Sequence, residues 1–226
     1  MRVLAIDTSL TACSAAVFDA GVGAILAIES FPLVRGHAEA LMPLIARVMD
    51  QGAIDFSELD RIAVTVGPGS FTGLRVGISA ARGIAMASGK SVVGVSTLAA
   101  YAAPYIAEVR ADAVITAIDA RNGNVYFQVF GSNGRPLVSA RHGTIADAVS
   151  AVDVPAYLTG SAARLLADNW PDDRPEPLDV DAKDAPDIEW VAQLGAAADP
   201  QLAPAKPVYL RAPDAKPQDA GRLARQ

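Results

Sequence analysis

The chain has 226 residues, 51% of them hydrophobic and 19% charged, with a formal net charge of −6. That balance describes an ordinary folded protein with enough chain for one large domain or two small ones. It argues against a surface that grips a nucleic-acid backbone directly, which requires lysine and arginine in excess. The single cysteine, Cys13, excludes an intrachain disulfide, and the expectation is a reducing, cytoplasmic setting without a membrane span or signal peptide.

In chain order, Met1 to Ile6 reads as a buried strand, Asp7-Thr8-Ser9 as a turn, and Cys13 to Phe18 as a second strand. Gly21-Val22-Gly23 marks a hairpin into a third, Ala24 to Phe31. Ala38 to Gln51 carries Leu41, Leu44, Ile45, Val48 and Met49 at helical spacing, with Pro43 predicting a kink or a late start. A strand, Ile62 to Val66, leads through GPGSFTGLRVG into a helix over Thr72 to Ser88. Strands at Val92 to Val95 and Ala113 to Ile118 flank a helix from Leu98 to Ala107. Pro171 to Asp187 is acidic and proline-rich, hence an exposed loop, and Ile188 to Ala198 is a further helix.

The second half repeats the first. Ala5-Ile6-Asp7 recurs as Ala117-Ile118-Asp119, and Val17-Phe18 recurs as Val129-Phe130 at the same offset. Matching order and register favour a duplicated βββαβα unit. This predicts an α/β fold of two actin-like, ribonuclease H-like lobes, residues 1–96 and 97–211, followed by a mobile tail over 212–226.

The glycine loop fails as a nucleotide cradle. A P-loop needs G-x-x-x-x-G-K-[ST], whereas Leu74 and Arg75 follow the glycine here. The dinucleotide fingerprint misses by one residue. What remains is a tight turn, with Thr72 as helix cap and Phe71 stapled onto Val76, or, as the lesser alternative, an anion role for the backbone N–H groups of Gly69, Ser70 and the helix N-terminus. In the helix beyond it, Gly73, Gly77 and Ala81 form a stripe almost without side chains, bordered by Leu74 and Ile78. Val76, Ala80, Ile84 and Ala87 make the opposite side apolar too, so a second helix is expected against the stripe, from this chain or from a partner. A bulky residue at Gly77 is then expected to weaken that pairing while sparing the fold. Of the chemistry-bearing residues, the two histidines give no H-x-x-x-H pair, since Leu41 follows His37 by four. Asp7 and Asp119, at equivalent turns, are the acid candidates, beside Thr8 and Ser9, with a purely structural turn role for Asp7 as the equal alternative.

LAIDTSLTACSAAVF, RGHAEALMPLI, GPGSFTGLRVGISAARGIA, IDARNGNVY and PVYLR together resemble the TsaB (YeaZ) family, from the N-terminus to about Arg211. The resemblance implies a member of the actin/Hsp70/sugar-kinase superfamily, related to the M22 "glycoproteases". It also implies an accessory subunit in making threonylcarbamoyladenosine next to the tRNA anticodon. The catalytic paralogue TsaD keeps two metal-binding histidines that this family has lost, so metalloprotease chemistry is disfavoured, no metal is implied, and no catalytic residue is assigned. Family members pair helices with TsaD or, alone, with a second copy, and the ATPase TsaE docks on the assembled pair. Contact with tRNA comes only through the complex, as do ATP and Mg. Carried onto this chain, the partner surface would comprise Leu41, Ile45, Gly73, Leu74, Arg75, Gly77, Ile78, Ala81 and Arg82. Asp7, Thr8, Ser9 and Asp119 would mark a vestigial nucleotide cleft. The rival readings are an independent Mg-dependent nucleotide hydrolase or phosphotransferase built on Asp7 and Asp119, and a homodimeric binding module unconnected with tRNA. For PVYLR, the expectation is burial of Tyr209 against the second lobe.

Overall fold

The computed structural model describes residues 1–108 and 112–211. The expected tail, 212–226, lies outside the described residues. Two five-stranded sheets carry the fold. The first contains β1 (Arg2–Asp7), β2 (Ala12–Asp19), β3 (Ala24–Pro32), β4 (Arg61–Gly67) and β5 (Ser91–Ser96) in the order β3-β2-β1-β4-β5. The second contains β6 (Ala113–Arg121), β7 (Asn124–Gly131), β8 (Pro136–Thr144), β9 (Ala156–Thr159) and β10 (Asp179–Asp181) in the order β10-β9-β6-β7-β8. Both sheets have three antiparallel strands continued by two parallel ones, so the second copies the first strand for strand. The near-continuous apolar runs of β1, β4 and β6 fit strands covered on both faces.

Two expectations change in detail. The acidic stretch Pro171 to Asp187 is not all loop, because β10 pairs in parallel with β9 inside it. The common offset of the two hairpins also slips by one residue. Asp7 faces Ser14, whereas Asp119 faces Val125 and not Tyr126. The second hairpin closes through Arg121, Asn122 and Gly123, all at positive φ, and so takes up less chain than the turn after Asp7.

Helices α1 (His37–Gln51) and α2 (Phe71–Ser88) cover one face of the first sheet, and the core there includes Leu41, Leu44, Ile45, Leu74 and Ile78. α1 begins at His37 and runs through Pro43 with no late start. The cap of α2 is Ser70 and not Thr72, since its hydroxyl accepts from Gly73 N at 3.3 Å. The second lobe has only α4 (Ile145–Val149) and α5 (Ala163–Ala167) in the corresponding places. The remaining two helices cross over. α3 (Thr97–Ala107) sets Ala102 and Tyr105 against Val114 and Phe130 of the second sheet, while α6 (Ile188–Ala197) sets Val191 and Ala192 against Val3, Ala5 and Ala63 of the first. The stretch from α6 to Tyr209 therefore packs on the first sheet although it follows the second in sequence: Val93 bridges Pro204, and Val208 N donates to Val66 O at 2.8 Å. Among the described residues, no helix is long and apolar enough to cross a membrane.

Candidate functional site

Two concave regions collect the residues singled out by sequence. One is a cleft of about 520 Å³ between the lobes, walled by Thr11, His37, Ser70, Asp119, Arg121 and Ser161 among others. Asp119 is exposed in it; its carboxylate accepts from Arg121 N at 2.7 Å, and its own N–H donates to Ser161 Oγ at 3.2 Å. His37 is buried beside it, with Nε2 3.2 Å from Ala12 O.

Asp7, Thr8 and Ser9 do not join that wall, which corrects their assignment to the cleft. All three are buried, Asp7 with no exposure at all. Asp7 Oδ1 accepts from Ser9 N at 2.9 Å and from the Thr65 hydroxyl at 2.5 Å, while Oδ2 has no partner. Loss of solvent pushes this carboxyl above the ordinary carboxylate range. Thr8 donates its hydroxyl to Gly73 O at 2.7 Å. The two aspartates hold the same strand position in their lobes, yet only Asp119 can meet a solute. Among the described residues, no cluster of three or more His, Cys, Asp or Glu is arranged to hold a metal. Cys13 is buried, its thiol pushed up to about 11 by desolvation, and so is inert.

The glycines of the opening turn and of α2 have a clear structural purpose. A Cβ on Gly69 would collide with Ser9 O, one on Gly73 with Thr8 O, and one on Gly77 with Thr8 Oγ1 at 2.5 Å. The bare stripe therefore lets α2 sit directly on the turn that ends β1. This corrects the stripe's assignment to a partner helix. Gly73, Leu74, Gly77, Ile78 and Ala81 are buried in the chain's own core together with Leu41 and Ile45 of α1, and buried side chains cannot form an outer surface. Of the nine residues carried over, only Arg75 and Arg82 are exposed, and Arg82 Nη2 is committed to Ala205 O at 2.6 Å.

The other side of α2 points outward. Val76, Ala80 and the α1 residues Ala38 and Met42 line a groove of about 510 Å³ between the two helices. A second hollow of about 430 Å³ continues it past Met42 to Phe56, Ile84 and Ala87. Met42 and Phe71 are each 48% exposed there. The signal for this surface was present in the sequence, since both sides of α2 read as apolar. Which side faced the sheet was not legible, because that depends on the close approach of Thr8.

Phe71 makes no staple to Val76. Its ring lies 5.4 Å from that of Tyr209, and the Arg75 guanidinium stacks over it at 3.8 Å. Tyr209 is thus placed on the first lobe, not buried against the second as its sequence position suggested.

Comparison with known proteins gives a consistent picture. A family model described as "TsaD: tRNA N6-adenosine threonylcarbamoyltransferase" matches residues 32–164. The tRNA threonylcarbamoyladenosine biosynthesis protein TsaB of Escherichia coli is 37% identical over 127 residues, 56% of this chain and 54% of that protein. The alignment thus spans about half the length of this curated relative. A tRNA N6-adenosine threonylcarbamoyltransferase of Erythrobacter litoralis is 44% identical over 68 residues, 30% of this chain and 20% of that one. Among solved structures, YeaZ from Pseudomonas aeruginosa superposes with a TM-score of 0.77 at 30% identity, covering 92% of this chain and 99% of that chain.

Proposed function

The chain belongs to the TsaB (YeaZ) family, and on that premise we propose that it is a non-catalytic subunit that docks onto TsaD and supports threonylcarbamoyladenosine formation on tRNA in the cytoplasm. The observation that carries this reading is the apolar groove between α1 and α2 and its continuation, with Met42 and Phe71 each about half uncovered along it. Contiguous apolar hollows rimmed by exposed large side chains are characteristic of protein contacts. Covering what remains exposed of Met42 and Phe71 would contribute about 1 kcal/mol each before the costs of association are met. The same face is available to a second copy when the chain is alone, and TsaE would join the assembled pair.

The burial of Asp7 supports the absence of catalysis. An ion-dependent phosphotransferase built on Asp7 and Asp119 needs both carboxylates at the ligand, and Asp7 is enclosed in protein. ATP and Mg belong to the complex on this reading, not to this chain, and tRNA is held by the other subunits.

The test is size-exclusion chromatography of the protein mixed with the TsaD of the same genome, with and without ATP. Co-elution at a defined stoichiometry is expected. Absence of a complex under both conditions would overturn the proposal. Measurable ATP turnover by the isolated chain, lost in Asp7→Ala, would overturn its non-catalytic part.

A further inference from the structure

The C-terminal segment PVYLR has so far had no role, and its geometry gives it one. The segment runs as a strap across the launch of α2. Val208 N donates to Val66 O at 2.8 Å, and Arg82 reaches Ala205 O at 2.6 Å. Gly67 makes room for it, since a Cβ there would stand 3.0 Å from Val208 O. The strap thereby delivers Tyr209 to the rim of the α1–α2 groove, where it remains 46% exposed.

At that rim, Arg75 is held from two sides. Its guanidinium stacks on the Phe71 ring at 3.8 Å, and its Nε–H donates to the Tyr209 hydroxyl through a long 3.4 Å contact. Tyr209 in turn packs against Phe71, with ring centroids 5.4 Å apart. Stacking of this kind orients a guanidinium while leaving its outer N–H groups free to donate. Among the residues lining the groove and its continuation, Arg75 carries the one charge. An isolated cation in an apolar surface attracts a single complementary group when that surface is covered, because leaving it unpaired there is costly.

We infer that Tyr209 is a positioning residue of the docking face: with Phe71 it clamps Arg75 so that the guanidinium meets a carboxylate carried on an apolar helix surface of the partner. The inference rests on the proposed TsaD-docking role and extends it. The strap becomes a built part of the interface, and Arg75 selects partners that place an acid at that point. Holding the side chain in advance removes ordering entropy from the binding step, so loss of the clamp weakens affinity even though Tyr209 itself is not the charged group.

A double-mutant cycle on the affinity for TsaD of the same genome tests it, with melting temperature recorded for every variant. Arg75→Gln is expected to weaken binding roughly tenfold or more, the cost typical of removing one partner of a covered charge pair. Tyr209→Ala should weaken it about three- to tenfold, and Tyr209→Phe, which keeps the ring against Phe71 but loses the hydroxyl that accepts from Arg75, by about two- to threefold. The double variant Arg75→Gln/Tyr209→Ala should bind no worse than Arg75→Gln alone, because the clamp has nothing left to position. Should Tyr209→Ala fail to fold, Tyr209→Leu, which lacks a flat ring, takes its place in the cycle. Additive losses, or wild-type affinity in Tyr209→Ala, would overturn the inference while leaving the docking role intact. Failure of the wild-type chain to bind at all would overturn both.

Discussion

The two lobes use one strand plan and finish it differently. In the first, the positions after the third and fourth strands carry helices of 15 and 18 residues; in the second, the same positions carry helices of five residues each. Five residues is barely more than one turn, too short to present a continuous side. Long α1 and α2 leave an apolar groove on their outer side, while the short α4 and α5 do little more than close the second core with Ala148, Val149, Ala163 and Leu166. The lobes differ again at the turn after their first strand, where Asp7 is sealed beneath α2 and Asp119 stands open in the cleft. Duplication thus supplies the sheets, and helix length and helix approach decide which copy presents an apolar groove and which copy leaves its aspartate open to solvent.

The largest effect should come from breaking the close approach that seals the first lobe. Gly73→Val places a branched side chain against Thr8 O, a backbone atom with no room to yield. Overpacking of this kind costs about 1–3 kcal/mol, and more where backbone blocks relaxation. We expect a loss of roughly 3 kcal/mol in urea denaturation, with weaker TsaD binding only as a consequence. Gly77 has Thr8 Oγ1 and Val64 as neighbours, so a bulky residue there is also expected to destabilise the fold, contrary to the sequence expectation that it would be spared. A smaller effect, of opposite character, should follow from charging the groove. Met42→Arg sits at a position 48% exposed and shared by both hollows. Stability should change by less than about 0.5 kcal/mol, while affinity for TsaD falls roughly tenfold or more, measured by titration calorimetry. Unchanged affinity would remove the groove from the interface.

Much of this division was legible in the sequence, and the parts that were not share a cause. Short apolar runs bounded by turn residues place β1 to β5, and the repeat of Ala-Ile-Asp identifies the second sheet. The 3.6-residue period locates α1 and α2 because each spans four turns or more. α4 and α5 are too short for any period to register. β10 is hidden among prolines and aspartates, since three parallel pairings need no hydrophobic run. For the site, sequence identifies α2 as apolar on two sides but cannot assign them. Small residues at i, i+4 and i+8 (Gly73, Gly77 and Ala81) suit a neighbouring helix and a neighbouring turn equally well, and only the position of Thr8 decides between them. The placement of Tyr209 depends on a contact with Arg75, 134 residues away in sequence, which no local pattern encodes.

The smallest expected effect, and the sharpest comparison, lies in the two aspartates. Burial raises the folded-state value of the Asp7 carboxyl above its unfolded value, so between the two the folded chain binds more protons than the unfolded one. Stability contributed by this group is therefore fully present below the ordinary carboxylate range and declines as pH rises through the raised value. Asp7→Asn keeps an oxygen that can accept from Ser9 N and Thr65 but no longer ionises. It should remove that decline, so the difference in stability between variant and wild type shifts in favour of the variant as pH increases. Asp19, Glu29, Glu58 and Asp147 have lowered values from exposed hydrogen bonds and act in the opposite direction at more acidic pH, but they are common to both proteins and cancel in the difference. Asp119→Asn retains the bond from Arg121 N and alters only an exposed group, so its effect should stay within about 0.5 kcal/mol. Urea midpoints across pH 4 to 8, a range of about four units spanning ordinary carboxylate titration and the region above it, measure both. Parallel pH profiles for Asp7→Asn and wild type would mean that Asp7 ionises freely, and the distinction between a sealed and an open aspartate at one repeated strand position would be lost.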